Sequence, residues 1–269
     1  MHAFQYHRPT SSKEASTLAG QKAEGKYLAG GQSLVQAMKL RLASPTDLID
    51  LGTIKDLVGI KVSGSAVEIG AMTRHADVAA SAEVKRAIPS LAALAGMIGD
   101  RQVRHMGTIG GSLANDDPAA DYPAAVLALN ATISTNKRKI AADSFFKGLY
   151  ETALEPGELI TAVSFQTPKR GAYMKFKNPA SRFALVGVYV ADFGAAGKNE
   201  VRVGVTGAGP SAFRQAEMEK ALGGKFAPEA VAGIKVKPDG LNNDLHASPE
   251  YRAHLVTVMC KRAVEQALK

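Results

Sequence analysis

At 269 residues, 46% of them hydrophobic, the chain can bury a sizeable core and divide into two or three sub-structures. A net charge of +8 favours an anionic ligand or an acidic partner, but with no Trp and only 6% aromatic residues the chain has little stacking surface for nucleic acid. A single cysteine, Cys260, excludes a disulfide framework, a cysteine zinc site and an iron–sulfur cluster held by this chain alone.

No apolar run reaches the length of a membrane span, and residues 2–8 are too polar for a secretory core, so the chain is expected in the cytoplasm. In chain order, residues 3–7 alternate like a strand, and the capping box Ser11-Ser12-Lys13-Glu14 starts a helix over 14–18. Residues 27–29 read as a buried strand running into Gly30 and Gly31, 33–40 as a helix, and 47–51 as a strand after the Ser44-Pro45 break. The glycine pair opens the central helix of this unit, where N–H groups and the helix dipole converge on an anion. A second unit starts near Gly64, with a strand over 67–71, a helix over 74–80 capped by Thr73, and an Ala/Leu-rich helix over 84–99. Residues 101–106 lead into a second glycine pair. A helix over 122–129, strands over 131–135, 139–142 and 159–165, and a linker over 168–171 follow. The last unit holds strands over 172–177, 186–193 and 201–206 and helices over 212–222 and 249–268. The final helix has Ser248 as N-cap, Pro249 at N1, and Leu255, Val256, Met259, Cys260, Ala263 and Ala267 on one stripe, which makes Cys260 an inert core thiol.

The chemistry is concentrated in GTIGGSLANDDPAAD, residues 107–121, and its shorter partner LAGGQSL, residues 28–34. Adjacent glycines let successive N–H groups point to one side with no Cβ in the way, and such a concavity suits a phosphate. Two of them suit a dinucleotide. Asp121 either accepts hydrogen bonds from sugar or ribityl hydroxyls or caps the helix that follows it. Asp116 and Asp117 are expected to cap a helix or face water. The run Lys137-Arg138-Lys139 reads as a solvated hairpin tip. Gly207-Ala208-Gly209-Pro210-Ser211-Ala212 fits G-x-G-x-x-A, but no second strand ending in an acidic residue follows, so it reads as a strand-to-helix turn rather than a Rossmann fingerprint. Neither glycine pair precedes the Lys-Ser or Lys-Thr of a Walker loop. The six histidines show no metal spacing; His75, His105, His246 and His254 lie among solvating residues, and His105, just before the second glycine turn, reads as a surface residue with a phosphate contact as the alternative.

AGGQS (29–33), TIGGSLANDDPAAD (108–121), FKNPASRFALVGV (176–188) and SPEYRAHL (248–255) occur in one order. Together they resemble the FAD-binding medium subunit of molybdenum hydroxylases, the carbon monoxide dehydrogenase and xanthine dehydrogenase group, over essentially the whole chain. The resemblance implies an α+β fold. Its FAD-binding domain, over 1–168, has two lobes (about 1–58 and 59–168) of the p-cresol methylhydroxylase or vanillyl-alcohol oxidase type, and a C-terminal domain over 172–269 combines a small antiparallel sheet with helices. It implies non-covalent FAD, with Ala29, Gly30, Gly31, Gln32, Ser33 and Leu34 and Thr108, Ile109, Gly110, Gly111 and Ser112 around the pyrophosphate. Asn115 and Asp121 would hold polar groups of the cofactor, and Lys177 would lie near the isoalloxazine, with Arg182 or Phe183 as a further neighbour. Tyr173, Phe176 and Phe183 compete as the aromatic screen of the flavin. The chain lacks the cysteine-bearing insertion of relatives whose medium subunit carries an extra iron–sulfur cluster.

The implied function is electron transfer, from [2Fe–2S] clusters of a small partner subunit, through FAD, to an external acceptor. A molybdenum cofactor in a large partner subunit would oxidise the substrate. The implied assembly is a heterotrimer or its dimer, cytoplasmic and able to lie against the inner face of the membrane. Two other classes compete: a stand-alone FAD oxidoreductase of the same fold, and a module that has kept the fold but lost flavin. No acid/base pair beside the glycine motifs supports the first, and intact glycine turns oppose the second.

Overall fold

A computed structural model describes residues 1–194 and 200–269. The first lobe alternates strand and helix: β1 (Gln5–His7), α1 (Ser12–Gln21), β2 (Gly25–Leu28), α2 (Leu34–Lys39) and β3 (Asp47–Asp50). The strands are parallel in the order β1-β3-β2, which requires crossovers that α1 and α2 supply. Ser11 caps α1 by accepting from the Glu14 amide, while Glu14 turns back to the amide of Thr10, one residue earlier than a capping box would have it. Ala15, Ile49, Leu51, Ile54 and Leu57 form a small core here, joined by Leu159 from the second lobe.

The second lobe begins with β4 (Ile60–Ser63) and β5 (Ala66–Gly70), followed by six short helices. These are α3 (His75–Ala80), α4 (Ala82–Ala87), α5 (Pro89–Gly96), α6 (Arg101–Met106), α7 (Ile109–Asn115) and α8 (Tyr122–Ala128). The single helix expected over 84–99 is broken at Ile88, because Pro89 lacks an N–H and pushes the residue before it out of the helical region. Thr73 does not cap α3; its hydroxyl bridges the amide and carbonyl of Gly59. Next come β6 (Thr132–Thr135), β7 (Lys139–Ala141), the small hairpin β8 (Phe146–Gly148) and β9 (Glu151–Thr152), and β10 (Ile160–Gln166). The sheet is antiparallel in the order β4-β5-β10-β6-β7. Arg138 stands at the expected β6–β7 tip, tied to Glu158 at 3.0 Å.

The C-terminal sheet is antiparallel, built from β11 (Arg170–Lys177), β12 (Ala184–Asp192), β13 (Val201–Thr206) and β14 (Phe213–Arg214). Strand β11 already starts at Arg170, so half of the expected linker is sheet. Helix α9 (Ala216–Gly224) begins four residues later than expected, because Phe213 and Arg214 pair with β13. After α10 (Pro228–Ala232), α11 (Pro249–Ala267) starts at the Ser248 cap and covers one face of the sheet. Cys260 is buried there and its thiol is pushed up to about 12, which removes its nucleophilic form. Alternation along β11 divides the strand: Ala172 and Met174 face α11, while Tyr173 packs with Tyr189 into the core of the second lobe. Among the described residues, no helix is long and apolar enough to cross a membrane.

Candidate functional site

The two glycine turns meet. A Cβ built on Gly30 would stand 2.1 Å from the Met106 carbonyl oxygen and 2.7 Å from the Gly107 Cα, so the first turn lies directly on the chain entering the second. A Cβ on Gly111 would stand 3.4 Å from the Cβ of Ala29. Contact this close between two backbones is open only to residues without a side chain at these points.

The turns differ in what their amides do. Gly31, with φ of 70°, swings the chain from β2 into α2, and no chain oxygen among the described residues accepts from the amides of Gly30, Gly31, Gln32 or Ser33. Ser33 leaves its hydroxyl uncommitted as well, since it makes no cap bond to α2. Unpaired N–H groups at a glycine turn form an anion-binding concavity. In the second turn, by contrast, the amides of Ile109 and Gly110 donate to Thr73 and Ala71, and those of Gly111 and Ser112 donate to Thr108. The expectation of two equivalent amide cradles is therefore corrected: the first turn offers donors, and the second offers a floor free of side chains.

Beyond α7 the chain turns through residues 116–121 to α8. Pro118, Ala119 and Ala120 offer their carbonyls to Gly207, Ala184 and Thr206, so the C-terminal sheet grips this turn from the far side. Asp121 neither caps α8 nor stands free. Its carboxylate accepts from the Tyr173 hydroxyl at 2.6 Å and from the Lys175 ammonium at 2.9 and 3.1 Å, and both partners come from β11. Burial and the adjoining carboxylate hold Tyr173 firmly as the neutral phenol. Lys175 also donates to the Met97 carbonyl and is 3% exposed, whereas Lys177 lies exposed beyond a bulge at the end of the strand. The buried lysine of this strand, paired with Asp121, is thus Lys175, two residues from Lys177. The Asn178–Phe183 loop closes with Arg182 at φ 63°, and it leaves Phe183 half exposed next to Ala184, the residue bonded to Ala119. Of the other aromatic candidates, Tyr173 is buried on Asp121 and Phe176 packs edge-on against Tyr251.

Asp116 departs from expectation. It ends α7 in the left-handed region, φ 44°, fully buried, with neither carboxylate oxygen hydrogen-bonded. Burial, with the Asp117 charge adding to it, pushes its carboxyl from 3.8 up to about 7. The protonated form is the one the fold favours, so the stabilisation is whole below about pH 4 and drains away as pH rises to about 7. Asp116→Asn, nearly isosteric and at ease in the left-handed region, removes that drain. At about 1.4 kcal/mol per pKa unit, the variant is expected to gain at most about 4 kcal/mol above pH 7 and nothing near pH 4. Melting temperatures of both proteins across that range check it; a gain independent of pH contradicts it.

His75 also proves to be interior. It is 5% exposed, and burial together with the Arg104 charge pushes its imidazole down to about 4. His105 is exposed and its Nδ1–H donates to the Arg101 carbonyl of its own helix at 2.7 Å. Asn115 closes α7 one residue before Asp116.

Residues 2–168 match the family described as the FAD binding domain in molybdopterin dehydrogenase, and residues 171–267 match the CO dehydrogenase flavoprotein C-terminal domain. The chain is 37% identical to the carbon monoxide dehydrogenase medium chain of Hydrogenophaga pseudoflava, over 98% of this chain and 96% of that one. It is 34% identical to the nicotine 6-hydroxylase medium subunit of Paenarthrobacter nicotinovorans, over 98% and 97%. A solved carbon monoxide dehydrogenase from Hydrogenophaga pseudoflava superposes with a TM-score of 0.92, covering 99% of this chain and 98% of that one at 37% identity.

Proposed function

Because the chain belongs to the FAD-binding medium subunits of molybdenum hydroxylases, we propose that its first glycine turn holds the diphosphate of FAD and that the Lys175–Phe183 side of the cleft receives the flavin ring. The observation that carries this is the set of unpaired amides from Gly30 to Ser33, facing a turn in which Gly111 presents no side chain. Their chemistry fits a diphosphate, which needs several donors converging without a Cβ in the way. Leu34 follows them as the first residue of α2, and Thr108, Ile109, Gly110, Gly111 and Ser112 line the opposite wall. Asn115, at the end of α7, supplies a polar group further along, while the carboxylate of Asp121 is taken up by Tyr173 and Lys175. When bound, FAD supplies two-electron redox chemistry and trades electrons singly with iron–sulfur centres.

The rest falls to the chain. Lys175, buried on Asp121, would place a fixed cation near a ring bound on this side of the cleft, and a fixed charge in a site with little water would favour the negative charge that reduction builds. Asp121 holds the ammonium in place, so the cation is set before the cofactor arrives. Phe183, of the three aromatic candidates, is free to lie over a ring and limit access to it. Electrons enter from [2Fe–2S] clusters of a small subunit, supplied by a molybdenum cofactor in a large subunit, and leave to an external acceptor. The assembly is a heterotrimer or its dimer working in the cytoplasm. The relatives named as the medium chain of carbon monoxide dehydrogenase and the medium subunit of nicotine 6-hydroxylase support the multi-subunit part of this reading.

The test is the visible spectrum and flavin content of the purified complex. One FAD per chain is expected, and Gly111→Val should remove it by crowding Ala29 and Thr108. A folded, assembled wild type without flavin, or a Gly111→Val variant that keeps a full complement, overturns the assignment.

A further inference from the structure

His75 is a buried ionisable side chain to which the cofactor site gives no direct task. Its position is nonetheless specific. Its amide donates to the Gly107 carbonyl at 3.0 Å, and its ring lies against the other face of that residue, since a Cβ built on Gly107 would stand 2.6 Å from Nε2. The same short segment touches the first glycine turn, with the Met106 oxygen 2.1 Å and the Gly107 Cα 2.7 Å from a Cβ built on Gly30. One layer of backbone therefore separates the imidazole from the diphosphate cradle. On its far side the ring meets Tyr122 at 5.4 Å between centroids, and Tyr122 follows Asp121, the partner of Lys175.

His75 Nδ1 and the Tyr122 hydroxyl are both buried without a hydrogen-bond partner. An apolar residue in this place would avoid that desolvation cost. What the imidazole offers in exchange is its shape, a flat five-membered ring that passes under Gly107 where a bulkier ring would lift the segment.

We propose that His75 is a positioning residue for the cofactor: its ring is the wedge that fixes the Met106–Gly107 segment against Gly30 and so sets the spacing of the diphosphate cradle. This rests on the assignment of the first glycine turn to FAD. The wedge has a steric signature. Gly107 itself has φ −62° and ψ 143°, a conformation any residue adopts, so an added methyl is opposed chiefly by the His75 ring.

The experiment compares wild type, Gly107→Ala, His75→Ala and the double variant in the assembled complex, stripped of FAD and titrated with FAD by flavin fluorescence and visible circular dichroism. Each single variant is expected to weaken FAD binding by about tenfold or more, one by pushing the segment toward Gly30 and the other by letting it sink. In the double variant the methyl enters the space the ring has left, and affinity and the flavin dichroism recover to within about threefold of wild type. Losses that simply multiply, or single variants that bind FAD like wild type, overturn the wedge. Should a single variant fail to assemble, recovery of assembly in the double variant supports the wedge and its absence overturns it. A wild type that takes up no FAD overturns the cofactor assignment instead. The melting temperatures of the four proteins then still decide on the wedge, which requires the double variant to be more stable than Gly107→Ala.

Discussion

Gly30→Ala is expected to reduce FAD content to less than about a tenth of wild type and to lower the melting temperature by several degrees. The added methyl points at the Met106 carbonyl oxygen, 2.1 Å away, and at the Gly107 Cα. Both are main-chain atoms, so no side-chain rotation relieves the clash, and the two lobes must part along the line where the cradle lies. Overpacking of this kind typically costs about 1–3 kcal/mol in stability. The effect on cofactor should be larger than that figure suggests, since the free amides of Gly30 to Ser33 act together only while they converge. Gly20→Ala is the control. No atom lies within 4 Å of a Cβ built there, and the position is within α1, where alanine is up to about 1 kcal/mol better than glycine. Flavin content and melting temperature of the two variants, measured side by side, check the pair. A Gly30→Ala protein with normal flavin would show that the lobes can slide apart at no cost to the site.

The two turns were legible in the sequence because glycine pairs after short apolar runs have few other uses. Their division of labour was not. Whether an amide is free depends on which carbonyls lie opposite, and those that occupy Ile109 and Gly110 belong to Thr73 and Ala71, far back along the chain. Distance in sequence also hid His75. The pattern around it reads as the solvated start of a short helix, and only the return of Gly107 onto α3 buries it. Asp116 was misread for a local reason: two adjacent carboxylates read as a cap or a solvated turn, yet a left-handed residue ends the helix and turns one of them inward. Most strand and helix positions followed from alternation and capping. Two of the failures fell where a single proline at 89 and a strand pairing at 213–214 overrode the local pattern, and the short elements β4, α6, α7, α10 and the β8–β9 hairpin carried too little pattern of their own to be read. The turn at 118–120 lies beside the C-terminal sheet, whose pairing with it no motif announces. Its carbonyls tie the segment between α7 and α8 to the start of β12 and the end of β13, so the C-terminal domain holds that turn in place.

The lysine assignment gives the second large effect. Residues 175 and 177 have the same parity on β11, and alternation alone puts both on one face. The difference is one of place along the strand: Lys175 lies where the face is covered and is buried on Asp121, whereas Lys177 is the last residue of β11, beside the bulge that Leu185 makes in β12, and lies in solvent. Lys175→Met is therefore expected to act twice. It strands a buried carboxylate, a loss of about 3–5 kcal/mol when one partner of such a pair is removed. With the flavin ring where we propose it, the change also withdraws a cation from beside the ring, lowering the two-electron midpoint potential by about 30 mV for each 1.4 kcal/mol of lost stabilisation of the reduced form. The two effects separate in the double variant Lys175→Met, Asp121→Leu. Replacing both members of a buried pair by apolar residues is often neutral for stability, so the melting temperature should return toward wild type while the potential stays low. Lys177→Ala should leave both quantities unchanged. Redox titration of the flavin absorbance, with thermal melts of the same preparations, distinguishes the two lysines. A potential that falls in Lys177→Ala and holds in Lys175→Met would place the cofactor's charge partner at the exposed end of the strand, and the buried pair would then serve the fold alone.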